Sequence, residues 1–179
     1  MRKSIGLSLL LLLSAISAGT AHAQSPQTPA APVKHYKVDF VVKEVDAGGH
    51  LTNSRSYSTI LVTDNNGGPK QIRSGDKIPI RTSTTGKDTT EYQYIDVGVN
   101  IDCRFVHELD QKLAMSVTAE VSSVPAGTDL NSSLGPLIRQ FKWNADVLIA
   151  PGVPTTIFSS DDVGSKNKMQ VEVTATLIK

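Results

Sequence analysis

Strict alternation of apolar and polar side chains is the feature that most restricts what this chain can fold into. It is clearest over residues 94–105, where six apolar side chains occupy every second position. These are Ile95, Val97, Val99, Ile101, Cys103 and Phe105. Most positions between them are polar, and they include Tyr94, Asp96, Asn100, Asp102 and Arg104. A period of two is typical of a strand with one buried face, so all six apolar side chains are predicted to share that face.

The same period recurs along the rest of the chain, with short turns rich in Gly, Pro, Asn and Asp between the segments. The further predicted strands lie at residues 36–43, 56–63, 70–81, 113–121, 140–147, 155–159 and 169–177. The third of these, 70–81, contains Gly75, which could interrupt it. No segment has the apolar spacing of an amphipathic helix. About eight strands with one apolar face each predict an all-β fold, either an antiparallel sandwich or a small closed barrel.

The first 23 residues resemble a secretory signal peptide. Arg2 and Lys3 precede an apolar run over residues 7–16. That run is about half the ~20 residues that a membrane-spanning helix needs. Ala21-His22-Ala23 matches a small-x-small cleavage site, which places cleavage between Ala23 and Gln24.

The remainder divides into a short tether and one domain. Residues 24–33 are rich in Pro, Gln and Ala and are predicted to be flexible. A single β-domain is expected over residues 34–179, which is long enough to bury its own core.

Charge and cysteine content exclude several classes of protein. The chain has 18 Lys and Arg against 17 Asp and Glu, and loss of Arg2 and Lys3 with the signal changes the formal charge from +1 to −1. A nucleic-acid binder usually has a basic excess, so no nucleic-acid partner is predicted. The single cysteine excludes an internal disulfide framework and any multi-cysteine metal site. An exported bacterial protein of the periplasm or outer envelope is expected, and an extracellular location is left open.

The side chains that could act in catalysis or bind a metal do not match a known catalytic motif or metal-ligand spacing. The histidines of the predicted mature chain, His35, His50 and His107, lie near strand ends, and no spacing makes them converge. Cys103 lies on the apolar face of its strand, so burial is expected to keep its thiol unreactive. The motifs G-x-S-x-G and H-E-x-x-H are absent from the sequence. The sequence therefore predicts no catalytic residue, no cofactor, no metal site and no enzymatic activity.

Two further features have simple structural interpretations. Asp161-Asp162 is predicted to be a solvated turn. Phe141 and Trp143 alternate with polar residues and are predicted to pack in the core, although with Tyr92 and Tyr94 they could instead form a ligand-binding patch.

Several short motifs follow one another in a distinctive order within residues 57–160. They are Gly75-Asp76-Lys77-Ile78-Pro79, Tyr94-Ile95-Asp96-Val97-Gly98-Val99-Asn100-Ile101, Glu120-Val121-Ser122, Pro136-Leu137-Ile138-Arg139 and Ala145-Asp146-Val147-Leu148-Ile149-Ala150-Pro151-Gly152. This order resembles the C-terminal domain of bacterial secretins, the ring-forming outer-membrane channels of type II and type III secretion and of type IV pili. The positions that carry the resemblance are Gly75, Pro79, Tyr94, Asp96, Val97, Gly98, Ser122, Pro136, Arg139 and Gly152.

The chain departs from the secretin pattern at two places. The family usually has a proline shortly after the Val-Gly strand, where this chain has Asp102-Cys103-Arg104, and often a Gly-Gly pair after the last motif, where Phe158-Ser159-Ser160 stands. With few residues between Gln24 and the first motif, the resemblance implies a solo secretin-like β-domain more than a working channel.

A non-enzymatic envelope protein that acts through protein–protein interaction or self-assembly is therefore expected. Its partners would be another envelope protein or further copies of itself, with membrane contact only as an assembled multimer. Two alternatives remain open. One is a subunit of a multimeric outer-membrane secretion pore, and the other is a β-sandwich that binds a small ligand or carbohydrate.

Export provides the first test. We expect the protein recovered from the cell envelope to begin at Gln24 and to contain 156 residues, the 179 of the chain less the 23 of the signal. Intact-mass spectrometry checks this, and an exported product that retains residues 1–23 would contradict it.

Overall fold

The computed structural model of the chain describes residues 32–64, 68–82, 91–125, 127–129 and 135–178, with the backbone alone at 81 and 82. The predicted signal, its cleavage site at Ala23 and Gln24, and the tether up to residue 31 lie outside the described residues. All described residues belong to one compact unit. Within these ranges, we find no helical segment with the length and hydropathy needed to span a bilayer.

Eight antiparallel strands form two sheets of four strands. They are β1 (His35–Val45), β2 (Leu51–Val62), β3 (Lys70–Thr82), β4 (Glu91–Leu109), β5 (Lys112–Ser123), β6 (Arg139–Ile149), β7 (Thr155–Asp161) and β8 (Lys168–Ile178). One sheet has the order β2-β1-β8-β7 and the other β3-β4-β5-β6. The all-β prediction is confirmed, and over the described residues the open alternative is resolved as a sandwich.

β2 and β4 are longer than predicted, β4 covering Glu91–Leu109 instead of 94–105, and β3 lacks the predicted interruption. β2 begins at Leu51, five residues before the predicted start at 56, because its polar first half pairs with the end of β1 up to the contact between Val45 and Leu51. β3 continues without interruption through Gly75. Cross-strand backbone pairing thus extends β2 into a segment with little hydrophobic signal and keeps β3 continuous at a glycine.

The core lies between the inner faces of the two sheets. In β1, Tyr36, Val38, Phe40 and Val42 point inward and are at most 4% exposed. The other strands contribute Leu61, Val99, Ile101, Cys103, Val106, Leu113, Met115, Val117, Ala119, Val121, Ile149, Met169, Val171, Val173 and Ala175. Burial of one large apolar side chain is worth about 1.5–3 kcal/mol, and a one-residue slip would turn a whole strand's set to solvent. The apolar alternation therefore determines the register of the strands that carry the core, β1, β4, β5 and β8.

The prediction that Phe105 lies on the buried face of β4 is wrong. The pairing of β4 with β5 is shifted between Arg104 and His107, which is a β-bulge. Phe105 has a φ of 53°, in the left-handed region that costs a non-glycine residue about 1–2 kcal/mol. Phe105 is consequently 74% exposed, whereas Val106 takes the inward position and is 7% exposed. Nδ1 of His107 lies 2.8 Å from the Phe105 carbonyl oxygen, to which a protonated Nδ1 donates a hydrogen bond.

An ion pair connects the two sheets near the hairpin between β4 and β5. Nζ of Lys34, just before β1, lies 2.6 Å from Oε2 of Glu108 in β4. The hydroxyl of Tyr36 donates to the same oxygen at 3.2 Å. The hydrogen bond from Lys34 lowers the pKa of the Glu108 carboxyl below its ordinary value, and the same bond raises the pKa of Lys34. The contact therefore favours the charged form of both groups.

The substitution Glu108→Gln should reduce the acid sensitivity of folding. Because the pKa of Glu108 is lower in the folded protein than in the unfolded chain, its ionised form stabilises the fold above the unfolded value of about 4.3. That contribution is lost as the pH falls through the folded value. We expect the Gln variant to unfold at lower denaturant concentration than the wild type at neutral pH, and the two midpoints to converge in acid.

Asp76→Asn is the matched control, since Asp76 is an exposed carboxyl with no ion pair among the described residues. Urea unfolding monitored by circular dichroism at several pH values measures the difference. A wild type and a Glu108→Gln variant with the same separation of midpoints at every pH would contradict the role of the carboxylate.

Candidate functional site at the junction of β3 and β4

β3 and β4 extend past the strands beside them as a two-stranded segment. Their pairing continues to the contact between Thr82 and Glu91, whereas the pairing of β4 with β5 begins only at Val99. Among the described residues, Asp76–Thr82 and Glu91–Val97 therefore form a strand ladder only with each other. We call these two segments the arm.

Gly75 and Gly98 face each other where the arm leaves the sheet. The two backbones approach so closely that a Cβ on Gly98 would lie 2.1 Å from the carbonyl oxygen of Ser74. A Cβ on Gly75 would lie 2.3 Å from the carbonyl oxygen of Val97. Any side chain at either position would overlap backbone atoms, so the junction requires glycine on both strands.

Ser122, at the end of β5, supports this junction from the third strand. Its side chain is buried, and Oγ accepts a hydrogen bond from the backbone nitrogen of Gly98 at 2.9 Å. The same hydroxyl lies 3.4 Å from the Gly98 carbonyl oxygen and can donate to it. The side chain thus satisfies backbone groups of Gly98 at the point where the backbone ladder between β4 and β5 ends. Three of the motif residues, Gly75, Gly98 and Ser122, form one contact.

The arm has two different faces. Tyr94 is 61% exposed, and Pro79, its partner across the strands, is exposed as well. On the same face Nζ of Lys77 lies 2.7 Å from a carboxylate oxygen of Asp96, an ion pair between the strands. The opposite face carries the half-buried side chains Ile78, Ile80, Ile95 and Val97. The motif residues of the arm therefore lie mainly on its polar, solvent-exposed side.

The remaining motif residues lie at different distances from the junction. Pro136 follows Gly135, where an added Cβ would lie 3.5 Å from Cγ2 of Ile80 on the arm. Arg139 begins β6 and pairs with Ser123, the neighbour of Ser122. Gly152 lies in the turn between β6 and β7, where its nitrogen donates to the Ala175 carbonyl at 2.7 Å. The structure thus brings most of these positions to one end of the second sheet and leaves Gly152 apart.

Asp161 is exposed, as predicted, but it is the last residue of β7 and not part of the turn, whereas Asp162 follows β7 and is not fully solvated. The Asp162 carboxylate pairs with Arg139 at 2.9 Å and accepts a hydrogen bond from Oγ of Ser165 at 2.6 Å. The bond from Ser165 is the main cause that lowers the pKa of Asp162. This pair joins β6 of one sheet to the turn after β7 of the other, which sequence spacing does not indicate.

The titratable residues considered for chemistry remain apart. His35, His50 and His107 are all exposed, and His50 pairs with Asp46 at 3.2 Å. Cys103 is 2% exposed, and burial, with a smaller effect of Asp102, raises the pKa of its thiol to about 12. In the described part of the chain, no three His, Cys, Asp or Glu side chains come together to hold a metal ion.

The aromatic residues do not assemble into a ligand-binding patch. Phe141 and Trp143 pack against the core, as predicted, and the Trp143 ring stacks on Phe158 with centroids 4.2 Å apart. The buried Nε1 of Trp143 has no hydrogen-bond partner within the described ranges. Tyr92 and Tyr94 lie on the arm, 53% and 61% exposed. The arrangement presents backbone edges and exposed rings that suit contact with another polypeptide.

Comparison with known proteins gives results at the level of structure. No protein-family model matches the chain, and no curated protein matches it. Among solved structures, it is similar to InvG, the secretin of the Salmonella SPI-1 type III secretion injectisome, with 12% identity, 83% of this chain and 66% of that chain covered, and a TM-score of 0.49.

It is also similar to the type II secretion system secretin GspD of E. coli K12, with 13% identity, coverage of 82% and 48%, and a TM-score of 0.45. GspD of enteropathogenic Escherichia coli gives 12% identity, coverage of 82% and 67%, and a TM-score of 0.44. The chain spans between about half and two thirds of the length of these chains. All three are secretins, the family that the motif order resembles.

The close approach at the junction predicts a graded loss of stability. Gly152 has a φ of 77° but open space around an added Cβ, so Gly152→Ala should cost about 1 kcal/mol from the backbone conformation alone. Gly75→Ala and Gly98→Ala add a collision with backbone and should cost about 2–4 kcal/mol. Urea unfolding of the three variants measures the order, and a loss at Gly98 no greater than at Gly152 would contradict it.

Proposed function

We propose that this protein is a non-enzymatic, secretin-like component of the bacterial cell envelope that acts through protein–protein contact or self-assembly. The proposal combines the export signal expected at residues 1–23, the motif order in residues 57–160 and the geometry of the arm. Its partners are another envelope protein or further copies of this chain, and it needs neither a nucleic acid nor a cofactor.

The observation that carries the proposal is the backbone edge of the arm that no strand of the described residues covers. The ladder between β4 and β5 starts at Val99, and among the described residues no strand pairs with Tyr92–Val97 on that side. The amide and carbonyl groups of Tyr92–Val97 on that side can therefore pair with an added strand. Exposed edges of this kind bind extended polypeptides by β-augmentation, in which backbone hydrogen bonds supply much of the affinity. The exposed rings of Tyr92 and Tyr94 on the same strand would add side-chain contacts.

The chemistry near the junction also favours binding over catalysis. The charged groups on the outer side are held in pairs across the strands, Arg73 with Asp102 at 2.5 Å and Lys77 with Asp96 at 2.7 Å. A nucleophile needs an adjacent base to activate it, and paired charges on a solvent-exposed sheet face do not provide that arrangement. The small-ligand alternative loses its main support, because Phe141 and Trp143 pack against the core.

Site-specific photocrosslinking in cells tests the role of the arm. A photoreactive amino acid at Gln93, an exposed arm position, should crosslink the full chain to a second copy or to another envelope protein. The same amino acid at Lys166, an exposed position in the turn between β7 and β8, is the matched control and should give no such product. An exported protein that yields no crosslink from Gln93 would contradict the role of the arm in the proposal.

Fractionation of the same cells separates the proposal from the pore alternative. We expect the processed protein in the periplasm or in envelope complexes that detergent dissociates. Detergent-resistant multimers in the outer-membrane fraction would instead identify a pore subunit. Ala23→Asp, which removes the small residue before the cleavage site, is the control that should block processing.

A further inference from the structure

A second surface lies at the other end of β4, on the outer face of its sheet. The bulge turns Phe105 outward, and beside it lie Leu109, Ala114 and Leu148 along a shallow apolar groove. Phe105, Leu109 and Leu148 are 74%, 49% and 44% exposed. A bulge that re-aims a large aromatic side chain into water, in a strained left-handed conformation, is typical of a functional surface. We call these four side chains the Phe105 face.

The charged side chains of this face are arranged in a self-complementary way about β5. β3 begins at Lys70, which pairs with Cys103, so past Cys103 only β4, β5 and β6 form this part of the sheet. β5 is then the central strand. In the register across the three strands, Arg104 lies beside Ser116 and Ser116 beside Asp146. A basic and an acidic side chain therefore flank β5 on opposite sides at the same height.

The next outward row repeats this arrangement with apolar groups. Ala114 of β5 pairs with His107 on one side and with Leu148 on the other, and Phe105 projects beside His107. Arg104 and Asp146 are exposed and form no ion pair within the described ranges. Each is free to pair with a group on another molecule.

We propose that the Phe105 face binds the same face of a second copy, about a two-fold axis that runs along β5. Such an axis places β4 of one copy over β6 of the other. The interface then contains two equivalent contacts between Arg104 of one copy and Asp146 of the other, and two between Phe105 and Leu148. Ala114 packs at the centre. A long side chain opposite a short one suits the spacing of about 10 Å between packed sheets. The interface is isologous and closed, so it gives a dimer.

The same geometry limits the interface. Glu120 lies further along β5 on this face. The two-fold axis would bring the Glu120 side chains of the two copies towards each other, so the contact ends before that row. Only a few outward residues from each of three strands remain. Small interfaces of this kind give weak complexes, and we expect a dissociation constant on the order of 10 µM.

Sedimentation equilibrium of the purified full-length product measures this constant. Phe105→Ser should weaken the dimer at least about tenfold, because an aromatic side chain at the centre of an interface dominates its affinity. Ile60→Ser is the matched control, since Ile60 is 53% exposed on β2 of the other sheet and should leave the dimer unchanged. Thermal unfolding of each variant shows that any loss of dimer is not loss of folding.

Charge exchange tests the two-fold relation itself. Arg104→Asp and Asp146→Arg should each weaken their own homodimer by about tenfold, because each places two pairs of like charges in contact. An equal mixture of these two variants should form a heterodimer about as tight as the wild-type dimer, since both contacts again join opposite charges. The double variant, Arg104→Asp with Asp146→Arg, should also recover the dimer.

This inference rests on the self-association within the proposed function and names its surface. A wild type that stays monomeric at several hundred micromolar, or charge variants that do not recover on mixing, would overturn it. Crosslinks from Gln93 in a protein that sediments as a monomer would reject the Phe105 face and leave the proposed function in place. A dimer with the expected charge behaviour and no crosslink from Gln93 would support the Phe105 face and reject the arm as a contact surface.

Discussion

The packing of one sheet face against the other is the interaction on which the rest of the structure depends. A sandwich has a single interior, so each inner strand must present every second side chain to it. β1, β4, β5 and β8 do so with apolar side chains that are almost completely buried, among them Tyr36 and Phe40 of β1. Once those faces are packed, the register and order of the inner strands largely determine where the edge strands β2, β7, β3 and β6 pair. The polar outer faces then carry the ion pairs, the exposed rings and the arm.

The alternation of side chains is sufficient to predict the strands and the fold class, because burial of one face of a strand requires an apolar residue at every second position. It failed at Phe105, where two consecutive apolar residues, Phe105 and Val106, offered a choice of which turns inward. The bulge that decides between them depends on the pairing with β5, which is not encoded in the local pattern. The prediction of a solvated Asp162 fails for a similar reason. Its partner Arg139 begins a strand of the other sheet, so the local sequence around Asp162 does not indicate the ion pair. Contacts between sheets of this kind join residues far apart in sequence.

The candidate site shows the same division. The motif order selected Gly75, Gly98 and Ser122 as positions of interest, but their spacing gave no reason why these residue types are required. The reason is geometric, because two backbones approach too closely for a Cβ and a serine hydroxyl meets the backbone groups of Gly98. Gly152 matched the same pattern and lies elsewhere, in a turn with open space around it. A glycine in the motif can therefore be explained by a close backbone approach only when its partner on the neighbouring strand is known.

The arm and the Phe105 face lie at opposite ends of β4, and this separation has a consequence for assembly. Seven residues separate Gly98 from Phe105, which in an extended strand corresponds to about 23 Å. The arm offers a backbone edge that lies in the plane of the sheet, whereas the Phe105 face offers side chains perpendicular to that plane. A strand added to the arm therefore does not occupy the space that a second copy needs on the Phe105 face. Because the two contacts use different directions of one sheet, a single chain can make both at once, and a two-fold dimer would then present two arms to the envelope.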